Sequence, residues 1–235
     1  MKRFIKIISA VLAIMAFAAC AVSCGVSGKA KYDTSITGEG INVRMSAVEN
    51  QIDKYEVSDF EASKQKSDYV LIKIQNYGEI VVALRSDIAP ITVENFKSLV
   101  SAKYYDGTAF HRVIENFMIQ GGGYNYVNGK LTEKDVVATI KGEFTSNKVT
   151  NNLAHIRGVI SMARVGGKND SASSQFFIMH QANANLDREY AAFGYVLAGM
   201  EVVDAIATCE CEGDAQAPVP VDPVVIESIT FVQPK

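Results

Sequence analysis

Arg112 stands in an otherwise largely apolar run, Phe110-His111-Arg112-Val113-Ile114-Glu115-Asn116-Phe117-Met118-Ile119-Gln120, which leads into Gly121-Gly122-Gly123. Alternate residues of an extended strand share a face, so Arg112 falls beside Phe110 and Ile114. A cation among apolar neighbours needs a partner or a task, because an uncompensated charge is costly to remove from water. A structural ion pair is one answer. The other is chemical: a guanidinium held where charge shifts on a bound substrate. Several better-known constellations fail on spacing. Five residues separate Gly123 from Gly129-Lys130, where a phosphate loop needs four, and Leu131 follows where that loop needs Ser or Thr. His111, His155 and His180 lie 44 and 25 positions apart, which gives no helical metal pair. Ser171, Ser173 and Ser174 sit in no Gly-x-Ser-x-Gly elbow, which argues against a serine hydrolase. One Arg, two Gln and several large apolar residues remain.

The elements that must position them are mostly short strands. Tyr69–Gln75 and Glu79–Leu84 are β-rich runs split by Asn76-Tyr77-Gly78, a hairpin signal. Further strands are expected at Phe110–Ile114, Phe117–Gln120, Gly158–Ala163, Gln175–Met179, Phe193–Leu197 and Val224–Val232. Pro90 opens a helix that carries Val93, Phe96, Leu99 and Val100 on one face and ends near Lys103; a second fits Met200–Thr208, with Val202, Val203 and Ile206 inward. Eight strands and two helices without β-α-β alternation predict a mainly β fold: a closed antiparallel barrel capped by its helices. Residues 124–152 are expected to form surface loops, and Gly213–Pro223 a loop before the last strand.

The 235 residues are 48% hydrophobic and 21% charged, with five Pro and no Trp, which excludes collagen-like, mucin-like and wholly disordered chains. Lys2, Arg3 and Lys6 precede an apolar stretch from Ile7 to Ala19 that is too short to span a bilayer, the pattern of a secretory signal. Its small-residue endings before Cys20 and Cys24 resemble a bacterial lipobox, with Cys24 favoured for lipidation because Ala21-Val22-Ser23 precede it and Gly25 follows. Removal of residues 1–23 leaves 20 basic against 26 acidic residues, a balance that argues against nucleic-acid binding. Residues 24–67 are expected to be a charged tether, with 13 charged residues from Gly25 to Ser67. Within it, Ile41, Met45, Val48, Ile52 and Tyr55 recur at spacings of a short helical arm that could dock on the domain of residues 68–235. Cys209-Glu210-Cys211 could be a short-loop disulfide, a soft-metal pair or two thiols; with no third ligand in sequence, two thiols are expected.

The Arg112 stretch, together with Gly158-Val159-Ile160-Ser161-Met162-Ala163-Arg164, Ser173-Ser174-Gln175-Phe176-Phe177-Ile178 and Leu186-Asp187…Phe193-Gly194, closely resembles the cyclophilin family of peptidyl-prolyl cis-trans isomerases over about Asp68 to Val232. The resemblance implies an eight-stranded antiparallel barrel with a proline-binding groove on its outer surface. It implies that Arg112 is the catalytic arginine, acting with Gln120 and Phe117. Phe117, Met118, Phe177 and Leu186 would line the pocket for the proline ring, while Gln120 and Gln175 would hydrogen-bond the peptide around it. Ala163 and Arg164 match the segment that pairs with substrate through its backbone; most relatives have Asn at the second position, and Arg is expected to add charge at the groove rim. Tyr190 stands where many relatives have His and keeps an aromatic hydrogen-bonding group. Asn185 replaces the Trp of familiar eukaryotic members, which implies weak cyclosporin binding. The expected function is isomerisation of X-Pro bonds in unfolded or secreted clients, without cofactor or metal, by a monomer tied outside the cytoplasm by its lipid. The alternatives are a non-catalytic proline-peptide binding module or chaperone, and a surface adhesin that reuses the barrel.

Overall fold

The computed structural model describes residues 48–135 and 137–235. The signal segment, Cys20, Cys24, Ile41 and Met45 lie outside the described residues. Strands β1 (Phe60–Ala62), β2 (Tyr69–Ile74) and β3 (Gly78–Leu84) precede helix α1 (Pro90–Ser101). Then come β4 (Arg112–Ile114), β5 (Met118–Gly121), β6 (Tyr124–Val127), β7 (Lys130–Glu133), β8 (Val159–Met162), β9 (Phe176–Met179) and β10 (Ala192–Ala198). Helix α2 (Met200–Ala207) leads into β11 (Cys211–Glu212), β12 (Val219–Pro220) and β13 (Ile226–Pro234). Nine strands form one antiparallel sheet in the order β1-β13-β2-β3-β10-β8-β9-β5-β4. The chain is therefore mainly β with two α-helices among the described residues.

The chain just before β4 meets the start of β13. Thr108, Gly107 and Phe110, just before β4, exchange backbone hydrogen bonds with Ile226 and Val224 around the start of β13: Ile226 N–H to Thr108 (2.7 Å), Gly107 N–H to Ile226 (2.9 Å) and Phe110 N–H to Val224 (2.9 Å). Ala109 and Val225 form an isolated antiparallel bridge between them.

Hydrophobic alternation decides which face is which. Val70, Ile72 and Ile74 of β2 point into the main core, where Phe96, Phe110, Phe176 and Phe193 are buried with Val203 and Ile206 of α2. In β3, by contrast, Ile80 to Leu84 are all buried, because the second face is covered too. Val81 and Ala83 pack there with Leu197, Val232, Phe60 and Tyr69.

The covering comes from the segment ahead of β2. Val48 is buried, Asp53 N–H and Tyr55 N–H donate to the carbonyls of Val196 and Leu197, and the Asp53 carboxylate accepts from Met200 N–H at the start of α2. Phe60–Ala62 then pairs with Val232–Pro234 as an edge strand. Of the residues whose spacing suggests a helical arm, Val48 begins the described chain in a helical stretch, while Ile52 lies in a turn and Tyr55 at a bend. Packed structure thus extends well ahead of Asp68, where sequence patterning begins the domain; charge enrichment hid the few apolar contacts that hold the segment.

Helix α1 begins at Pro90 without a side-chain cap of its own. The buried Glu143 carboxylate caps it from a distant loop, accepting from Ile91 N–H (3.1 Å), Thr92 N–H (2.7 Å) and the Thr92 hydroxyl (2.7 Å). This answers both the unpaired N–H groups and the positive end of the helix dipole. Residues 124–152 are not loops throughout: β6 and β7 form a hairpin about Asn128 and Gly129, both at positive φ. That Asn-Gly turn is a hairpin signal in its own right, carried by strands too short and too exposed to show alternation.

Burial of an aliphatic side chain contributes about 1.5–3 kcal/mol. A chain beginning at Asp68 should therefore be less stable than one beginning at Val48 by about 1.5–3 kcal/mol from the buried Val48 alone, as read from urea unfolding; equal stability would mean that the arm adds nothing.

Candidate active site

Register builds the site. Arg112 on β4 lies directly opposite Gln120 on β5, Gln120 opposite Phe177 on β9, and Phe177 opposite Ser161 on β8. Residues in register across antiparallel strands share a face, so these four form one row across the sheet. One position along, Ile114, Met118 and Met179 form the next row. The intervening Val113, Ile119 and Ile178 point the other way, into the main core. Met118, Phe177, Leu186, Ala163 and Tyr190 form a second apolar cluster on the row's face, with Phe117 packed against it.

Arg112 is held by neutral acceptors. Its Nε donates to the Gln216 carbonyl at 2.8 Å and its Nη1 to Gln120 Oε1 at 3.3 Å, with Met118 Sδ at 3.8 Å. The guanidinium carbon lies 5.9 Å from the centre of the Phe117 ring. Among the described residues every ion pair involves other side chains, so the structural-pair reading of Arg112 has no carboxylate behind it. Burial lowers its pKa from the ordinary value, yet an arginine remains charged. The result is a partly desolvated cation beside an apolar floor.

Gln120 is buried, and its amide donates to Gln175 Oε1 at 3.0 Å, which fixes both amides. Gly123 makes room for this, since a Cβ there would lie 2.5–2.6 Å from the Gln175 side chain. Gly122 adopts φ +83°, where a side chain would be strained. Within the glycine run that imitates a phosphate loop, Gly123 thus makes room for Gln175, and Gly122 for Ser174, Tyr105 and Phe176.

Ala163 N–H donates to the Gln175 carbonyl at 2.9 Å. Arg164 departs from expectation. Its side chain is only 9% exposed, with the guanidinium carbon 4.8 Å from the Tyr190 ring centre and 5.1 Å from that of Phe144, and Nε donating to the Glu189 carbonyl at 2.9 Å. The charge is folded between two rings rather than presented at the rim, because cation–π contacts and Glu189 satisfy it there. Tyr190 stands edge-on to Phe177 with ring centres 5.9 Å apart. Leu186 is buried at the end of the short 3-10 turn Ala184–Leu186, whereas Asn185 is exposed.

Two histidines flank this surface. His155 is buried, its ring nitrogens 3.0 Å from Asp187 Oδ1 and 3.0 Å from Ser161 Oγ, contacts internal to the fold. His111 has a buried Nδ1 without a hydrogen-bond partner, and burial together with the nearby Arg112 charge lowers its pKa to about 4. A neutral His111 keeps a second positive charge away from Arg112. Sequence reasoning missed the main-chain acceptor at Gln216, for which no residue type gives a signal. Cys209 and Cys211 are free thiols with sulfurs 3.9 Å apart. A cavity of about 230 Å³, lined by Val48, Arg85, Asp87, Ile88, Thr150, Asn152 and Leu153, contains none of the row.

A sequence profile described as cyclophilin type peptidyl-prolyl cis-trans isomerase/CLD matches residues 69–231, more than half of the chain. The chain belongs to the cyclophilin family. This cyclophilin is 46% identical over 137 residues to a peptidyl-prolyl cis-trans isomerase of Acinetobacter baylyi, covering 56% of this chain and 68% of the relative. It is 37% identical over 164 residues to peptidyl-prolyl cis-trans isomerase B of Escherichia coli, covering 66% and 94%. Among solved structures, a Cryptosporidium parvum cyclophilin-type isomerase crystallised in the presence of the dipeptide Ala-Pro aligns with a TM-score of 0.59 at 30% identity, covering 69% of this chain and 98% of that one.

A buried neutral histidine has a signed consequence for stability. His111 binds its proton near pH 6.5 when unfolded and only near pH 4 when folded, so its contribution is complete above 6.5 and lost as pH falls towards 4. Urea titrations should show up to about 3 kcal/mol of stability disappearing across that window, and His111→Phe should flatten that part of the slope; an unchanged slope in the variant would assign the acid loss to other groups.

Proposed function

We propose that this cyclophilin, a peptidyl-prolyl cis-trans isomerase, accelerates rotation about X-Pro bonds by seating the proline ring against Phe117, Met118, Phe177 and Leu186 while Arg112 hydrogen-bonds the twisting amide. An X-Pro bond lies about 0.5–1 kcal/mol from balance, yet its rotation barrier is about 18–20 kcal/mol because resonance gives C–N double-bond character. The task is kinetic, and no bond has to be made or broken. Transfer of the prolyl amide to an apolar floor disfavours its charge-separated resonance form. A guanidinium near the prolyl nitrogen stabilises the pyramidal, twisted state more than the planar one, which is the condition for catalysis.

Raising a rate of roughly 0.01 per second to roughly 1000 per second requires about 7 kcal/mol. One charge-assisted hydrogen bond contributes about 2–4 kcal/mol. The pocket and the clamping of the flanking peptide by Gln120, Gln175 and the Ala163–Arg164 backbone would supply the remainder. The single observation behind this reading is the Arg112 cation, held only by neutral acceptors beside the apolar cluster.

NMR exchange on an Ala-Pro peptide tests it. Arg112→Ala should lower turnover by roughly two to three orders of magnitude while the fold persists; an undiminished rate would remove Arg112 from the mechanism, and no acceleration by folded wild type would leave a proline-peptide binding module.

We also propose that the sheet closes as a barrel through the hydrogen bonds between residues 107–110 and 224–226, with α1 and α2 as its caps. For the cell, the proposed setting is extracytoplasmic: residues 1–23 as a lipoprotein signal, Cys24 (alternatively Cys20) as the lipidated residue, and the chain as far as the docked arm as tether. Clients would be unfolded or secreted proline-containing chains, met by a monomer whose membrane contact is its lipid. The basic n-region and the small residues before Cys24 support this reading. Mass spectrometry of the protein from its native membrane should find a diacylglyceryl adduct on an N-terminal Cys24, and an unmodified N-terminus after another cut would end the proposal.

A further inference from the structure

Phe117 lies in the tight turn between β4 and β5 rather than inside a strand. Asn116 adopts φ +59°, a left-handed conformation uncommon outside glycine, though one that Asn adopts more readily than most. A local bond from the Phe117 N–H to the Ile114 carbonyl at 3.1 Å closes the turn, and three further contacts come from one place. His180 Nδ1 accepts the Asn116 N–H at 2.9 Å, and the Phe117 carbonyl accepts from His180 N–H at 2.9 Å and Gln181 N–H at 3.3 Å.

His180 is itself anchored. Its side chain is 13% exposed, Nε2 lies 3.4 Å from Asp204 Oδ1 on α2, and its carbonyl accepts from Arg157 Nη1 at 3.0 Å. Arg157 and Asp204 are joined by a two-pronged pair at 2.6 and 2.7 Å. A backbone N–H can only donate, so Nδ1 must be the unprotonated nitrogen and Nε2 carries the hydrogen towards Asp204. The ring thus acts as a strut between helix α2 and the turn that carries Phe117.

We propose that His180 is a positioning residue for the isomerase reaction: by accepting the Asn116 N–H it fixes the Phe117 ring beside the Arg112 guanidinium. This rests on the reading of Phe117 and Arg112 as pocket and catalytic residues. Loss of the acceptor passes the exposed Asn116 N–H to water and removes the side-chain tie between the turn and α2, so that the turn is held less firmly. Phe117 then shifts, and a small misplacement of a substrate-positioning group is costly in rate.

The test uses the full-length protein and two variants. His180→Asn keeps an acceptor, because Asn Oδ1 can occupy the place of Nδ1, but loses the link to Asp204. His180→Leu keeps bulk and loses both. By NMR exchange on an Ala-Pro peptide well below the melting temperature, His180→Leu should lower kcat/KM roughly tenfold, while His180→Asn restores most of it. A role confined to stability would lower the melting temperature of both variants and leave kcat/KM unchanged in each. Wild-type kcat/KM in folded His180→Leu, or equal impairment in the two variants, overturns the proposal. Independently of any variant, imidazole ¹⁵N spectra of the wild type should show Nδ1 of His180 as the unprotonated nitrogen; a protonated Nδ1 overturns it as well. Should Arg112→Ala prove fully active, the site reading fails first; loss of activity there with neutral His180 variants sinks only the strut.

Discussion

Arg112 carries a positive charge that the fold has partly stripped of water without giving it a negative partner. Everything around it serves to keep that state tolerable and aimed. Neutral oxygens from Gln120 and Gln216 satisfy two of its donors, the apolar row provides a floor, and His111 beside it stays uncharged. A carboxylate in place of either oxygen would stabilise the guanidinium more strongly and would also occupy it. Neutral acceptors orient the group and leave its charge available to a ligand.

The constraint explains the layout of distant parts. Gln216 reaches Arg112 because the chain between β11 and β12 lies against β4, where Val113 N–H donates to the Pro218 carbonyl. Gln120 holds its angle because Gln175 fixes it, and Gln175 fits because Gly123 has no side chain. Each support is a main-chain or amide contact to another element, so the site depends on the relative placement of strands more than on any single loop.

Much of this was legible in sequence, for identifiable reasons. The eight main strands and both helices announced themselves by period, and Arg112 stood out as a cation among residues that alternate into a core. The partnerships of that cation did not, because the Gln216 carbonyl carries no signature of residue type and lies 104 positions away. Glu143, which caps α1 across 51 positions, carries no such signature either. Side-chain direction was equally hidden: the family resemblance put Arg164 at the groove rim, but only packing could turn its guanidinium inward between Phe144 and Tyr190. The spacing of Val48, Ile52 and Tyr55 suggested an arm, but the charged composition hid the edge strand Phe60–Ala62 that follows it and pairs with β13.

The position of β13 in the sheet bears on how the chain acquires its fold. It comes after every other strand in sequence, yet it pairs with both β1 and β2 and meets the residues just before β4. Phe60 finds its partner at Pro234, across nearly the whole described chain. The loop-closure entropy of such pairings must be met before their contacts reward it. The β2–β3 hairpin and the α-helices can form early from local contacts, but the sheet around Arg112 cannot be completed until β13 inserts. Folding is therefore gated by the arrival of a single late segment, and a chain caught before that moment exposes the edges of β2 and the β4 region together, the form most prone to pair with another copy.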